Sequence, residues 1–411
     1  MDNQKILDGV GHDLERNNNL LHLTANENQM SNTARSFLGS KLSERYYFGS
    51  GDEKSIVDFG HLIGLGLPGC AELIDKAEEA AKKMLHAKAV NLNVLSGVHA
   101  MMSAILAVSQ VGDGVMTVPE ESGGHFATKG IIEVVGRKHF FVDFDYANLR
   151  FDTAKIAKSV KGNDIKVIYL DVSYYLNPHN IRELREAVGN EVIIIYDASH
   201  TLGLIMGGQF QSPLEEGANI ICGNTHKTLP GPHKGLIAFR DQDLANSANA
   251  IINACLYSSP HLDHLLALSV TILEMEQFGE EYSKQIVVNS NALAKSLVSL
   301  GYEVRKSNTG EYSHNHQVHL FVDKLGDRLD LYKRLLDNNI STHLEGTELT
   351  DQGWYIRLGT AEPTRLGMKE VEMETIAEIL DQALKGQDVK NEVANLVNKY
   401  RQVHYSFDNQ N

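Results

Sequence analysis

One stretch constrains this chain more than any other: Asn219 to Gly235, NIICGNTHKTLPGPHKG. Ile220 to Cys222 is apolar and β-branched, which predicts a buried strand. It stops at Gly223-Asn224, and the polar run Thr225, His226, Lys227, Thr228 follows. Pro230-Gly231-Pro232 comes next, a combination that neither a helix nor a central strand accommodates. Lys227 therefore sits on a rigid turn at a strand end, flanked by hydroxyls and an imidazole. A lone lysine is ordinarily a solvated surface residue. One held in this way is also placed to form a Schiff base with a carbonyl cofactor.

The upstream run Glu191 to His200, EVIIIYDASH, favours the second reading. It predicts another buried strand, with Asp197 at its C-terminal end. A carboxylate there is costly unless a cation compensates it. A protonated pyridine nitrogen is such a cation, and pyridoxal phosphate needs one to act as an electron sink. Ligands of open α/β sheets collect at the carboxyl ends of strands, where both residues lie.

A length of 411 residues predicts two domains. A formal charge of −15 argues against nucleic acid or an anionic membrane as partner. Cys70, Cys222 and Cys255 are odd in number and far apart, which suits a reducing compartment better than a disulfide framework. The polar start MDNQKILDGVGHDLERNN lacks an apolar signal region, so the expected location is cytoplasmic.

Residues 1–20 read as a polar helical arm. Residues 21–282 read as a large domain in which strands and helices alternate. Strands are expected at Gly114 to Val118, His139 to Val142, Lys166 to Val172 and Leu236 to Phe239, with helices at Asp75 to Leu85 and Ile181 to Val188. Ser96-Gly97 precedes a strongly apolar helix, either as an ordinary N-cap or as a phosphate-holding turn. An apolar connecting helix, Leu265 to Phe278, leads to a smaller α+β domain, residues 283–411. That domain opens with a separate helix, Gln285 to Leu300, and has strands near Gln317 to Val322 and Trp354 to Leu358. Helices at Leu329 to Asn338 and Lys369 to Leu384 complete it. His261 and His264 with Asp263 are weak as a metal site, and these histidines, like His314, His316 and His319, read as surface residues.

Five segments, in this order, resemble the serine hydroxymethyltransferase family: LTANENQMS, LNVLSGVHA, YDASHTLGL, THKTLPGPHKG and GWYIRLGTAEPTRLG. The resemblance runs nearly end to end, including a last helix in VANLVNKYRQVHYSF. It implies the aspartate-aminotransferase-like α/β fold, a large domain with a mostly parallel sheet plus a smaller C-terminal one, and pyridoxal 5'-phosphate as cofactor. By the same resemblance Lys227 forms the internal aldimine and Asp197 pairs with the pyridinium nitrogen. His200 and Ser173 lie near the ring oxygen and the substrate carboxylate. Ser96, Gly97 and Thr225 hold the phosphate, and His226 lines the site. Asn26 contacts substrate, and Arg357 binds the amino-acid carboxylate as a bidentate fork. A homodimer is implied, with the Tyr46 region and Tyr257 to Leu265 reaching the partner's cofactor.

The departures bear on the reaction. The family pattern YAEGYPGKRYYGG carries a glutamate that works at the transferred one-carbon group. In the ungapped register of GSKLSERYYFGSG, Tyr46 falls on the family's first tyrosine and Phe48 on that glutamate. In the other register the glutamate segment is deleted. In the ungapped register, HLIGLGLPG, His61 to Gly69, replaces the tyrosine pair that helps hold folate. Ser122 takes the place of the histidine stacked on the cofactor ring, and His125 stands where the family has a second one. Which of the two covers the ring stays open in the sequence. His233 replaces the arginine of GPRGG. The implied activity is aldol-type making or breaking of Cα–Cβ in a small amino acid, with an aldehyde co-substrate and without folate. Folate-dependent hydroxymethyl transfer, other chemistry on the same cofactor and an inactive cofactor-binding regulator are the alternatives.

Overall fold

A computed structural model describes residues 3–145, 149–346 and 353–409. Seven strands form the main sheet: β1 (Ala89–Asn91), β2 (Gly114–Thr117), β3 (Lys138–Phe141), β4 (Ile165–Leu170), β5 (Ile193–Asp197), β6 (Ile220–Asn224) and β7 (Gly235–Phe239). Their spatial order is β1-β7-β6-β5-β4-β2-β3. β6, β5, β4, β2 and β3 run parallel, and β7 is antiparallel to both neighbours. The parallel strands read as continuous apolar runs because helices cover both faces of such sheets. Ile168, Ile194, Ile195, Ile220 and Ile221 are fully buried.

The α/β class and mostly parallel sheet are as expected, with shifted boundaries. β4 ends at Leu170, so Asp171, Val172 and Ser173 have left the strand. β6 continues through Gly223 to Asn224, because the ladder to β7 runs on to the Asn224–Gly235 pair. The helices expected at 265–278 and 285–300 are one helix, Leu262–Ser299. The helix runs unbroken through Gly279 and packs on Gly207, where a Cβ would lie 2.2 Å from Ser283 Oγ and 2.4 Å from the Gly279 carbonyl oxygen. The last helix ends at Lys399, well short of the expected segment. A hairpin at Ile56–Asp58 and Ile63–Leu65 and the helix Gln242–Cys255 had no clear signal in the periodicity. No described helix is long and apolar enough to cross a membrane.

The chain divides into two units, Met1–Glu27 with Gln285–His404, and Asn28–Lys284 with Tyr405–Asn411. The first is built on a three-stranded antiparallel sheet of β8 (Gln317–Phe321), β9 (His343–Gly346) and β10 (Trp354–Gly359), ordered β8-β10-β9. Its core includes Leu23, Leu320, Leu335, Ile356, Ile376 and Leu380. His316 and His319 belong to this interior, which corrects their reading as surface residues. His316 Nε2 lies 2.8 Å from the Ala25 carbonyl, and His319 Nε2 lies 3.0 Å from Gln317 Oε1.

Helix Leu202–Met206 packs against the lysine turn so closely that a Cβ on Gly203 would lie 2.2 Å from the Thr228 carbonyl oxygen. Backbone on backbone cannot yield cheaply. Gly203→Ala is expected to lose about 1–3 kcal/mol of stability and to weaken cofactor retention, as read by urea denaturation and equilibrium dialysis. Unchanged values in both would show that the turn tolerates displacement.

Candidate active site

The carboxyl ends of β4, β5 and β6 and the N-terminus of helix Gly97–Val108 line a partly open cavity of about 70 Å³. Its wall includes Gly97, His125, Asp171, Ser173, Asp197, His200, Asn224 and Lys227. Parallel packing of β4, β5 and β6 puts their ends side by side. Residues far apart in sequence thereby converge, as expected at a sheet's carboxyl edge.

Lys227 is half-buried, and its Nζ lies 3.0 Å from His200 Nε2. Its backbone carbonyl accepts a 2.5 Å hydrogen bond from Asn28 Nδ2, which also lies 2.8 Å from the Tyr282 hydroxyl. The turn is cross-tied further on. Thr225 Oγ1 donates to the Pro232 carbonyl at 2.6 Å and accepts from the Lys234 N–H at 3.2 Å, and Thr228 Oγ1 donates to the His200 carbonyl at 2.8 Å. The hydroxyls flanking Lys227 thus fix its backbone.

Asp197 receives the Ser199 N–H on Oδ1 at 2.7 Å and the Tyr169 hydroxyl on Oδ2. Tyr169 is fully buried, and burial together with the neighbouring Asp197 holds its hydroxyl protonated well above the ordinary phenol range. It is therefore a permanent donor to that carboxylate. Asp171 is buried too, and burial pushes its pKa up to about 7. His125 is shifted below the usual imidazole range, first by burial and also by Lys227, with Asp197 opposing.

Of the expected site residues, Gly97, His125, Ser173, Asp197, His200 and Lys227 share this wall. Ser122 is buried but is not among the wall residues, so the loop turns His125 to the cavity. Ser96 caps helix Gly97–Val108, its Oγ accepting the His99 N–H at 3.1 Å. Thr225 points into the lysine turn, and His226 stacks on His233 with centroids 3.7 Å apart. Tyr46 is exposed and stacks on Phe48. In the other unit, Arg357 is buried, with Nη2 2.7 Å from Glu345 Oε1. Asn26 of that unit has a buried side-chain oxygen without a hydrogen-bond partner among the described residues. Tyr169, Asp171, Thr128 and Asn224 were missed. Asp171 carried the same signal as Asp197, a carboxylate where an apolar strand ends.

These groups fit pyridoxal phosphate. Lys227 offers an amine for its carbonyl, and Asp197 a carboxylate for its ring nitrogen. Helix geometry leaves the N–H groups of Gly97 and Val98 without helical partners, as an anion requires. Gly97 admits close approach, since a Cβ there would lie 2.9 Å from Asn224 Cβ. Fold and site together define a pyridoxal-phosphate enzyme with the aspartate-aminotransferase-like architecture.

Comparison with known proteins narrows the class. The family model for serine hydroxymethyltransferase matches residues 1–380, and the chain belongs to that family. It is 34% identical over 424 residues to serine hydroxymethyltransferase of Methanocella arvoryzae, covering 99% of this chain and 97% of the relative. It is 33% identical over 402 residues to fluorothreonine transaldolase of Streptantibioticus cattleyicolor, covering 95% of this chain and 62% of that one. The crystal structure of L-threonine transaldolase from Pseudomonas fluorescens superposes with a TM-score of 0.89 at 31% identity, covering 99% of this chain and 94% of that one.

Two outcomes follow from this geometry. Borohydride reduction of the holoenzyme is expected to fix the cofactor on the peptide containing Lys227. Lys234 is unsuited, since it is buried outside the cavity wall with Nζ 3.0 Å from the Val94 carbonyl. Recovery of a modified Lys234 by peptide mapping would reverse the assignment. Burial lowers the Lys234 pKa from 10.5 to about 7, against the pull of Asp263. Between those values the folded state binds fewer protons than the unfolded one, so this residue's contribution to stability rises with pH. Lys234→Met is therefore expected to gain on the parent most at pH 7 and least near pH 10 in urea titrations. A gain that does not change over that range would contradict the assignment.

Proposed function

We propose that the protein exchanges the side chain of a β-hydroxy amino acid such as L-threonine for that of an aldehyde, without folate. Pyridoxal phosphate, when bound, supplies the electron sink for the bond broken at Cα. Asp197, fixed by Tyr169 and Ser199, keeps the ring nitrogen protonated, and His125 faces the ring. Lys227, beside His200, would hold the cofactor through its carbonyl carbon. Arg357 takes the carboxylate of the amino acid and Asn26 contributes to substrate binding, as the family resemblance implies. In the exchange the Cα–Cβ bond of threonine breaks, the β-hydroxyl proton leaves and acetaldehyde departs. A new Cα–Cβ bond then forms to the second aldehyde, whose oxygen takes the proton. His125 is the group proposed to hold that proton, because its lowered pKa leaves the imidazole neutral and able to accept.

The observation that carries the folate-free reading is Phe48. In the ungapped register it stands where the family has its one-carbon glutamate, and its ring packs at the hairpin. Gly64 leaves no space for a side chain beside it, and Phe59 meets it edge-on. An aromatic ring cannot shuttle a proton, and general acid–base help is typically worth about 10²–10⁴ in rate. Glu44 is an exposed carboxylate beside Arg45. Glu27 is held by His22 at 3.6 Å and by the Thr24 hydroxyl at 2.7 Å, and its pKa falls to about 2. A carboxyl that acidic is a poor proton donor near neutrality. The likeness to two transaldolases supports the same reading. The reading extends to a homodimer, supported by exposed apolar side chains on helix Asn3–Asn17 (Ile6, Leu7, Val10, Leu14) and on the hairpin (Ile56, Phe59, Ile63, Leu65).

The test supplies holoenzyme with L-threonine and an aromatic aldehyde, and separately with serine and tetrahydrofolate. Acetaldehyde and a new β-hydroxy amino acid are expected in the first, and no folate-dependent transfer in the second. Saturable transfer at micromolar tetrahydrofolate would restore hydroxymethyl transfer as the function.

A further inference from the structure

We infer that Asp171 is a positioning residue that holds His125 against the cofactor cavity. The inference rests on the reading of His125 as the side chain facing the ring. Three donors converge on this one carboxyl, and all come from the segment that follows β2. The Val118 N–H reaches Oδ1 at 3.3 Å, while the His125 N–H reaches Oδ2 at 3.1 Å and the Thr128 hydroxyl reaches it at 2.5 Å. Val118 marks the strand end, His125 the loop and Thr128 the first residue of helix Thr128–Val134. Asp171 thus closes a loop of chain onto the end of β4. A parallel tie runs beside it, from the Ser173 N–H to the Gly123 carbonyl at 2.7 Å. His125 and Thr128 both line the cavity, as does Asp171 itself.

The arrangement is expensive if it serves only the fold. Asp171 is 3% exposed, and burial, with the charge of Asp197, opposes its ionisation. Burying a second carboxyl beside Asp197 costs stability that an apolar residue would not. What the carboxyl supplies is acceptor capacity: two oxygens able to take all three donors at once. No neutral side chain of this size does that, and without it the backbone of His125 loses its anchor to the sheet.

The test is a double-mutant cycle on the holoenzyme, read by cofactor dissociation constant and by circular dichroism in the cofactor's visible band. Asp171→Asn and His125→Ala are each expected to weaken cofactor binding roughly tenfold and to change the dichroism. Asp171→Asn in the His125→Ala background is expected to add little, since it acts through a side chain already removed. Additive losses, or an Asp171→Asn enzyme with the parent's affinity and dichroism, would overturn the inference while leaving the role of His125 standing. A His125→Ala enzyme that keeps both parental values would overturn the role of His125 and this inference with it. Should Asp171→Asn fail to fold, Thr128→Val takes its place in the cycle. It removes the shortest of the three bonds and is judged by the same criterion of non-additivity.

Discussion

A half-buried carboxylate at the end of a sheet sets the terms for everything near it. Asp197 is carried there by β5, between strands it cannot leave. Two donors, the Tyr169 hydroxyl and the Ser199 N–H, satisfy its oxygens but bring no positive charge. Hydrogen bonds alone do not repay the desolvation of an ion; a cation does. A cationic ligand at that point, such as a protonated pyridine, would compensate the charge.

Around that charge the architecture is mostly about immobilising backbone. The lysine turn is tied by Thr225, Thr228 and Asn28, the last acting on the Lys227 carbonyl itself. The segment carrying His125 is tied by Asp171 and by the Gly123–Ser173 bond. Side chains that must change partners during a reaction gain from a backbone that does not move, because orientation is prepaid in folding rather than at each turnover. This explains why several polar residues in the sequence motifs face the chain rather than the cavity. Thr225 is conspicuous in the motif, yet its hydroxyl serves Pro232 and Lys234.

Family membership and reaction are separate matters here. Lys227, Asp197 and the Ser96-Gly97 turn follow the family motifs, whereas Ser122, His233 and the segment from Tyr46 to Gly69 depart from them. A cofactor that acts as an electron sink serves many bond cleavages at Cα, so the choice among them falls to residues at the periphery. In the proposed function, Phe48 and the hairpin it packs on bear on the co-substrate, apart from the chemistry at Cα.

The sequence by itself determined the large sheet, its mostly parallel character and the positions of Lys227 and Asp197. Those signals are local: apolar runs of strand length, and a polar residue where each run stops. It also pointed to the cofactor, through a lysine turn, a carboxylate where a strand ends and five segments that resemble the serine hydroxymethyltransferase family. Tertiary structure alone decided which polar residues meet. Asp171 and Thr128 lie 43 positions apart and Asn28 and Lys227 lie 199 apart, and no periodicity reports such contacts. It decided that His125 rather than Ser122 faces the cavity, since that depends on how one loop is pinned. It decided as well that the helix from Leu262 to Ser299 is unbroken, packed on Gly207 where no side chain fits. Strand order brings distant ends together, and only the folded chain contains that order.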